Sequence, residues 1–418
     1  MKSKKIVQYN IKYYPVYLFF RNIYFWGPAF FLYFTSVLTL SQALWLEAVY
    51  YFWVAVVEVP SGYLSDRFGR KITLMLSSGS LSLAYLVFFF GNTFPVFAMA
   101  QIFLATGFAF SSGADTAFHY ESLYEINKQG EYGWRETKAL RFSFVASAVG
   151  ALIGGAIAVY DLKWIYGASF LTSLISLLLV YRMKEPERID RSIKPAPINQ
   201  TVYQIFKKSW DKRFRFFTLY TVAMTVLIHL PYEFYQPYLE KAGVMLGTPP
   251  QATPWLTGIH LAVTMLIGSW FTRFGKGYHH RCKVRMVLIS CAIFQLVIIG
   301  MMALVTHPVI IVLLMARTVS KAISTPLVNA EVTPMLKQSE RSTFLSIQSL
   351  LGRLSFGVAL ILIPFGASLF SDRFHGTLVT AFSVGIILFM LVLTSSFPRE
   401  PSQHCCSDHR DGQSVNHC

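Results

Sequence analysis

Long apolar blocks alternate with short polar turns along nearly the whole chain. Each block holds roughly 20 residues with few charges, which is enough for an α-helix to cross about 30 Å of hydrocarbon. The blocks predict membrane-spanning helices at 14–37, 43–64, 72–91, 95–118, 140–160, 164–182, 214–238, 252–272, 284–305, 308–330, 343–366 and 375–397. Their hydrophobicity lacks a strong alternation of period two, so the pattern favours helices over a β-barrel.

The predicted helices, about twelve in number, form two equal sets separated by a polar connection. We therefore predict an all-α polytopic membrane protein with an N-terminal half at residues 1–182 and a C-terminal half at residues 214–398. Residues 183–213 are expected to be a cytoplasmic linker, and residues 399–418 a cytoplasmic tail. From about Thr201 the linker is amphipathic, which predicts either an interfacial helix on the inner leaflet or a solvated linker helix.

Composition and charge support a membrane location. The chain of 418 residues is 54% hydrophobic and only 14% charged, whereas a soluble protein carries about a quarter charged residues. The net charge of +16 would also suit a nucleic-acid partner. However, with a cytoplasmic N-terminus, about 30 of the 37 Lys and Arg residues fall in predicted cytoplasmic segments, as the positive-inside rule requires. We therefore expect both termini in the cytoplasm and no nucleic-acid partner.

The cysteines give no sign of a disulfide framework, because all five fall in predicted spans or cytoplasmic segments. The basic N-terminal stretch lacks a small-residue cleavage site, so no removable signal peptide is predicted. The tail gathers residues such as His404, Cys405 and Cys406, which are ligands that soft metals prefer. Their spacing matches no closed zinc module, and we predict no metal site and no cofactor.

A charged turn follows the second predicted helix, with the sequence GYLSDRFGRK. The characteristic residues of this turn are Gly62, Asp66, Arg67, Gly69, Arg70 and Lys71. The glycines allow a tight turn and close helix approach, and the cations hold the turn in the cytoplasm. The carboxylate is placed where it can face the positive N-terminal end of a neighbouring helix.

A weaker copy of this turn follows the second predicted helix of the C-terminal half. GSWFTRFG, from Gly268 to Gly275, repeats the glycine, arginine, phenylalanine and glycine of the first turn at the same spacing. Thr272 stands where the first copy has Asp66. The matching position indicates that the two halves arose by duplication, an architecture known among transporters.

The first turn resembles the signature of the major facilitator superfamily, Gly-x-Leu-x-Asp-Arg-x-Gly-Arg-Arg/Lys, at every fixed position. With the lead-in EVPSG and the later SSGADTAFHYESLYE, the chain also resembles a bacterial, efflux-like branch of that family. The resemblance implies the major facilitator fold, alternating access in a bacterial inner membrane, and a cavity lined by helices 1, 4, 7 and 10. It also implies that Asp66 contacts the eleventh helix, which begins near Ser342, as a conformational latch.

Ionisable side chains inside the predicted spans are candidates for function, because each costs about 3 kcal/mol or more in hydrocarbon. We expect substrate binding or proton coupling from Arg21, Asn22, Tyr24, Glu58, Asp115, His119, His229, Glu233, Arg317 and Lys321. Helical spacing places Tyr24 on the face of Arg21, and Asp115 on the face of His119. His229 and Glu233 are expected to form a proton-accepting pair. Glu121 is expected to lie outside the hydrocarbon.

The cations among these candidates leave two interpretations open. Arg317 and Lys321 are four residues apart, so the like charges repel each other and need water, a carboxylate or an anionic ligand. One interpretation is direct contact of Arg21, Arg317 and Lys321 with cargo or participation in proton coupling. The other is internal pairing of these cations with Asp115, Glu58 or Glu331 to fasten the bundle.

These observations favour a proton-coupled secondary transporter for a small organic molecule, working as a monomer in the lipid bilayer, with export favoured over uptake. The cations favour an anionic or zwitterionic cargo, such as a carboxylate metabolite or a siderophore. Proton-symport uptake and a transport-dead sensor or scaffold are the alternatives. Neither a Walker A motif nor an HExxH or GxSxG pattern is present, so nucleotide-driven pumping and an enzyme are not expected.

Overall fold

The structure is a computed structural model that describes residues 2–187, 198–244, 253–275, 281–305 and 307–397. Over these residues the chain is helical and contains no strand. The helices are α1 (Lys2–Arg21), α2 (Phe30–Val37), α3 (Leu40–Phe68), α4 (Arg70–Phe90), α5 (Phe94–Ser111), α6 (Ala114–Glu125), α7 (Tyr132–Tyr160), α8 (Trp164–Arg182), α9 (Ile198–Ser209), α10 (Arg215–Val244), α11 (Thr253–Phe271), α12 (Arg281–Leu304), α13 (Val309–Leu314), α14 (Val319–Val332), α15 (Arg341–Ala367) and α16 (Arg373–Thr394). The predicted all-α class is confirmed.

Among the described residues, 9 helical stretches are long and apolar enough to cross a membrane. They do not include α1 and α2, of 20 and 8 residues, or α3 and α10. Both α3, of 29 residues, and α10, of 30 residues, have sufficient length. Their acidic and aromatic side chains lower the mean hydropathy, and those side chains belong to the central region described below.

Three predicted spans are interrupted, which corrects the expectation of continuous helices. The breaks lie at 22–29 between α1 and α2, at 112–113 between α5 and α6, and at 315–318 between α13 and α14. Gly113 has a φ of 71°, a left-handed conformation that favours glycine. A Cβ atom there would lie 2.8 Å from the Cβ of Leu345, so the break also lets α15 approach closely.

Side chains compensate for the backbone groups that the second break exposes. Ser61 donates from its hydroxyl to the carbonyl of Ala109 at 2.9 Å, and Ser346 donates to the carbonyl of Ser112 at 3.2 Å. Because hydrocarbon offers no hydrogen-bond partners, a broken helix is tolerated in a membrane only where protein or water supplies them. The broken segments therefore belong inside the bundle.

Two large apolar clusters lie in different parts of the chain. One contains buried residues only from 23–166, and the other contains buried residues from 205–392 together with Val59. Close helix contacts join the two regions. The Cβ position of Gly258 in α11 lies 2.7 Å from the carbonyl oxygen of Ala151 in α7. Similarly, the Cβ position of Gly62 in α3 lies 2.6 Å from the hydroxyl of Ser346 in α15.

The linker contains the predicted amphipathic helix, α9. Ile205 on this helix is buried in the second apolar cluster, and Lys208 pairs with Glu340 just before α15. The other side exposes Tyr203 and Phe206. One face of α9 therefore packs on the bundle, while aromatic side chains occupy the opposite face.

We expect Gly154→Ala to destabilise the protein, because its new methyl group would lie 2.0 Å from the carbonyl oxygen of Phe25 in the first break. The obstacle is backbone, which cannot move aside as a flexible side chain can. Gly79→Ala is the matched control, since a Cβ on Gly79 has no neighbour within 4 Å. Thermal unfolding of the purified variants should show a lower midpoint for Gly154→Ala and no loss for Gly79→Ala. Equal midpoints would contradict the close packing of α7 on the break.

Candidate functional site

A buried ionic network lies at the end of the bundle that carries the 62–71 turn, here called the charged end. Arg70 is 3% exposed and pairs with Asp66, and its Nη2 lies 2.9 Å from Oε1 of Glu121. Arg341 approaches the same Glu121 oxygen from α15 at 3.1 Å. The network thus contains two guanidinium groups and two carboxylates, and the opposite charges balance.

Asp66 also caps α15 from the other half of the chain. Its carboxylate accepts hydrogen bonds from the backbone amides of Ser342 at 3.1 Å and Thr343 at 2.8 Å. These amides have no partner within their own helix, and the helix dipole favours a negative charge at that position. The contact of Asp66 with the eleventh predicted helix, which the family resemblance implied, is therefore present.

Further contacts extend the network across the charged end. Arg70 donates to the backbone carbonyl of Gln338 at 2.6 Å, and the amide of Gln338 donates to Glu121 at 3.0 Å. Glu121 was expected outside the hydrocarbon, and neither Glu121 nor Arg341 was a site candidate. The structure makes Glu121 the acceptor shared by Arg70, Arg341 and Gln338.

Glu185 is another residue that the sequence analysis missed. Its two carboxylate oxygens accept from the backbone amides of Arg70 and Lys71, each at 2.7 Å, so Glu185 caps the N-terminus of α4. Burial raises the pKa of the Glu185 carboxyl above its usual value, and the two amide donors act in the opposite direction. Gly69 has a φ of 120° and leaves room for this carboxylate, whose Oε1 would lie 2.8 Å from a Cβ.

The two remaining cations of the turn lie outside the network. Arg67 is exposed, with its guanidinium 5.6 Å from the ring centroid of Phe68. The ammonium of Lys71 lies 5.5 Å from the ring centroid of Tyr181. Both therefore lie at the periphery, where aromatic and basic side chains are common at membrane boundaries.

The first break brings several predicted site residues together near the middle of the bundle. Arg21 ends α1, donates to the hydroxyl of Ser111, and lies 5.7 Å from the ring centroid of Phe108. The hydroxyl of Tyr24 donates to the side chain of Asn22 at 2.6 Å, and Asn22 donates to Ser143 of α7 at 3.1 Å. The helix ends before Asn22, so the shared face expected for Arg21 and Tyr24 is replaced by a turn.

Asp115 lies at the start of α6, where it accepts from the backbone amide of Thr116 at 2.7 Å. It is close enough to Arg21 for electrostatic attraction, but no ion pair forms between them. His119 stacks on Tyr14 with ring centroids 4.2 Å apart. The break at 112–113 precedes both residues, so Asp115 and His119 remain four residues apart on the continuous helix α6.

His119 belongs to a polar chain that crosses between the two halves. Its Nδ1 lies 2.8 Å from Oε2 of Glu136 on α7, and Asn329 of α14 donates to the other oxygen of Glu136 at 3.3 Å. Glu136 was not a sequence candidate. His119, Glu136 and Asn329 therefore connect α6, α7 and α14.

The predicted pair of His229 and Glu233 is not present. Nδ1 of His229 lies 2.6 Å from the carbonyl oxygen of Thr225, one turn earlier in α10. Glu233 instead accepts a hydrogen bond from Tyr51 on α3. Helical spacing placed the two side chains on one face, but a nearer backbone acceptor and a partner on another helix hold them apart.

Glu58 is the most enclosed carboxylate of the central region, with a side chain that is 0% exposed. Neither of its carboxylate oxygens has a hydrogen-bond partner among the described residues. Nε of Arg353 lies 3.7 Å away, across from α15. Arg353 also hydrogen-bonds with Tyr50, the neighbour of Tyr51 on α3. A buried charge held by one long contact is poorly compensated.

Arg317 and Lys321 lie in different surroundings, although they are four residues apart. Arg317 falls in the third break, before α14 begins, and donates to the carbonyl of Leu314 at 3.3 Å. Lys321 makes no hydrogen bond or ion pair with any described residue. It is accessible, yet close enough to His229 and Arg353 for electrostatic repulsion. Lys321 is therefore an accessible cation near α10 and α15.

Two acidic residues of α3, Glu47 and Glu58, lie on either side of Tyr51 in the chain, and only Glu58 was predicted as a site residue. Glu47 accepts from Gln101 of α5 at 3.3 Å and lies close enough to Glu233 for electrostatic repulsion. Glu47, Tyr51 and Glu58 follow helical spacing along one face of α3, so the sequence did contain a signal for Glu47. The described residues include no group of three or more His, Cys, Asp or Glu side chains placed to hold a metal ion. The cysteine and histidine tail lies outside the described residues.

Spanning helices broken at polar positions, charges midway along them and an ionic network between two sets of helices define a membrane protein of the secondary-transporter class. A sequence profile of the Major Facilitator Superfamily matches residues 16–354. Because the match covers most of the chain, the protein belongs to this superfamily. A search among curated protein sequences gives no significant match.

Solved transporters share the fold. The Escherichia coli fucose:proton symporter FucP, in a variant form, superposes with a TM-score of 0.70 at 13% identity, over 94% of this chain and 99% of FucP. FucP in the outward conformation gives 0.70 at 14% identity, over 94% and 100%. The human organic anion transporter MFSD10 (TETRAN) gives 0.65 at 10% identity, over 93% and 98%. At these identities the likeness concerns the fold alone.

We expect Asp66→Ala to expose the N-terminus of α15, because the amides of Ser342 and Thr343 lose their carboxylate acceptor. Loss of a cap costs about 0.5–2 kcal/mol, so hydrogen exchange of these amides should accelerate about 2- to 30-fold. Asp161→Asn is the control, since Asp161 contacts the amide and the ammonium group of the nearby Lys163 at an exposed position, away from α15. Unchanged exchange at 342–343 in Asp66→Ala would show that the cap does not hold the charged end together.

Proposed function

We propose that this protein is a proton-coupled secondary transporter of small organic anions or zwitterions, and that the ion pair of Glu58 and Arg353 is its proton-sensitive element. The observation that supports it is the burial of Glu58, which has no hydrogen-bond donor among the described residues and lies 3.7 Å from a cation of the other half. The unpartnered Lys321 supports an anionic cargo, because an ammonium group within a span requires a counter-charge.

Protonation of Glu58 links the proton to the cargo in this proposal. Neutral Glu58 no longer attracts Arg353, so the guanidinium is released to bind a cargo carboxylate together with Lys321. Loss of the proton restores the internal pair and expels the cargo carboxylate from Arg353. The proton and the cargo anion therefore bind cooperatively. Protonation of Glu58 leaves Arg353 without a counter-charge, and the cargo carboxylate then supplies one.

Alternating access requires that one end of the bundle closes while the other opens. The network of Asp66, Arg70, Glu121 and Arg341 joins the two halves at the charged end. We assign this end to the cytoplasm from the positive-inside distribution of Lys and Arg. The arrangement then corresponds to a transporter closed towards the cytoplasm, with Asp66 stabilising that state.

The direction of transport has two candidates. Export follows from the efflux-like character of the sequence, including the EVPSG lead-in. Uptake by symport is favoured by the cooperative binding expected at Glu58 and Arg353, because the proton and the anion then travel together. A relative with the same fold, FucP, is a fucose:proton symporter. The sign of proton movement relative to cargo distinguishes the two.

We expect cargo-dependent proton flux in proteoliposomes that contain the purified protein, a pH gradient and a pH-sensitive dye in the lumen. The probes are monocarboxylates, dicarboxylates, carboxylate siderophores, amino acids and a cationic dye. Glu58→Gln should abolish proton flux while cargo exchange at equal pH continues. Lys321→Gln should raise the concentration for half-maximal transport by about 10- to 100-fold, since a hydrogen bond to a charged group contributes about 1.5–3 kcal/mol.

Glu131→Gln and Lys163→Gln are the matched controls, because both residues lie at the protein surface and pair with nearby charges. Both should transport as the unchanged protein does. Proton flux that persists in Glu58→Gln would remove the proposed proton site. Transport of the cationic dye alone would refute the proposed cargo class.

A further inference from the structure

A groove separates α7 from the end of α11 at the charged end, where the second copy of the signature turn lies. Its cavity is about 150 Å³ in volume. The side chains that matter for its chemistry are Trp134, Lys138, Arg141, Phe142, Thr272 and Arg273. They come from both halves of the chain, and we call this feature the α7–α11 groove.

Three cations of the α7–α11 groove have no carboxylate partner in the part of the chain that the structure describes. Lys138 and Arg141 are exposed and make no hydrogen bond or ion pair with any described residue. Arg273 donates only to the backbone carbonyl of Trp270, at 3.1 Å. The two acidic residues near this end of α7 are engaged elsewhere, since Glu131 pairs with Arg135 at 2.6 Å and Glu136 lies 2.8 Å from Nδ1 of His119. Three positive charges therefore meet without compensation from the described part of the protein.

The first copy of the turn contains a carboxylate that the second copy lacks. There, Asp66 supplies the negative charge that joins α3 to α15. In the second copy the same position is Thr272, which is buried and donates its hydroxyl to the carbonyl of Ser269 at 2.7 Å. A neutral hydroxyl directed at its own helix cannot balance Lys138, Arg141 and Arg273. No carboxylate of the described residues takes the place of Asp66 in the second copy, so the groove is open to an anion from outside.

The position of the α7–α11 groove relative to the membrane indicates which kind of anion it would bind. Arg141 immediately precedes the stretch 142–160, which contains no charged residue, and Arg273 follows the likewise uncharged end of α11. Both cations therefore lie at a membrane boundary, where lipid phosphates reside. Trp134 and Trp270 are 42% and 48% exposed, and the guanidinium of Arg273 lies 4.2 Å from the ring centroid of Trp270. Exposed indole rings beside cations suit a lipid better than a freely diffusing ion.

We propose that the α7–α11 groove binds the phosphate of an anionic phospholipid, held by Lys138, Arg141 and Arg273, with an acyl chain along Phe142. The net charge of three favours a headgroup that is anionic overall, such as phosphatidylglycerol, over zwitterionic phosphatidylcholine. The bound lipid bridges α7 and α11 and so completes, from the membrane, the contact that Asp66 makes within the protein at α3 and α15. This site is independent of the cargo and of proton coupling.

The test measures lipid binding by the full chain after delipidation in detergent, by native mass spectrometry and thermal unfolding. The probes are phosphatidylglycerol, phosphatidylcholine and inorganic phosphate. We expect tight binding and a raised unfolding midpoint with phosphatidylglycerol only. Each cation near a membrane surface contributes about fivefold in affinity. Arg141→Gln should thus weaken binding about fivefold, and the triple change Lys138→Gln, Arg141→Gln and Arg273→Gln about 100-fold.

The matched control is Lys163→Gln, Arg182→Gln and Lys207→Gln, which removes three other exposed cations. An equal loss of binding in this control would overturn the proposal, because the attraction would then depend only on net charge. Equal stabilisation by inorganic phosphate would overturn the lipid assignment and leave a simple anion site. If the triple variant does not fold, the single Arg141→Gln variant decides. Undiminished phosphatidylglycerol affinity there would refute the site.

Discussion

The association of the two halves depends on a balanced set of buried charges at the charged end. Asp66, Arg70, Glu121 and Arg341 are removed from solvent, and each guanidinium meets at least one carboxylate. A buried pair of this kind adds little net stability over apolar packing, but removal of one partner leaves an uncompensated charge at a cost of about 3–5 kcal/mol. The network therefore specifies how the halves meet more than it strengthens the fold. Such a contact is suitable for an interface between the halves that must form and separate.

The same pair of helices carries both the network and the proposed proton site. Asp66 and Glu58 lie on α3, and they meet α15 at Ser342 and at Arg353. Any movement that separates α3 from α15 at the charged end also changes the distance between Glu58 and Arg353. The reverse holds as well, because neutral Glu58 removes one attraction between these helices. Protonation of Glu58 and opening of the charged end are thus linked directly through α3 and α15. No longer pathway through the protein is required.

The sequence predicted the features that depend on local chemistry. Uncharged stretches such as 142–160 indicated the spans. The contact of Asp66 with the eleventh predicted helix was expected only because the signature turn resembles the family motif. Other features that depend on distant partners were missed. Glu121 lies 51 residues from Arg70 and 220 from Arg341, so neither pairing has a local signal. The break at Gly113 was also missed, because a glycine inside an apolar stretch is compatible with a continuous transmembrane helix.

The two copies of the turn solve the same problem in different ways. Each half must approach the other where a basic turn meets the membrane boundary, and the cations there need a counter-charge. The first copy supplies that charge within the protein through Asp66, so the contact of α3 with α15 does not depend on the lipid. The second copy has Thr272 and gathers Lys138, Arg141 and Arg273 beside exposed tryptophans. One interface between the halves is therefore controlled by the protein alone, and the other responds to the composition of the surrounding leaflet.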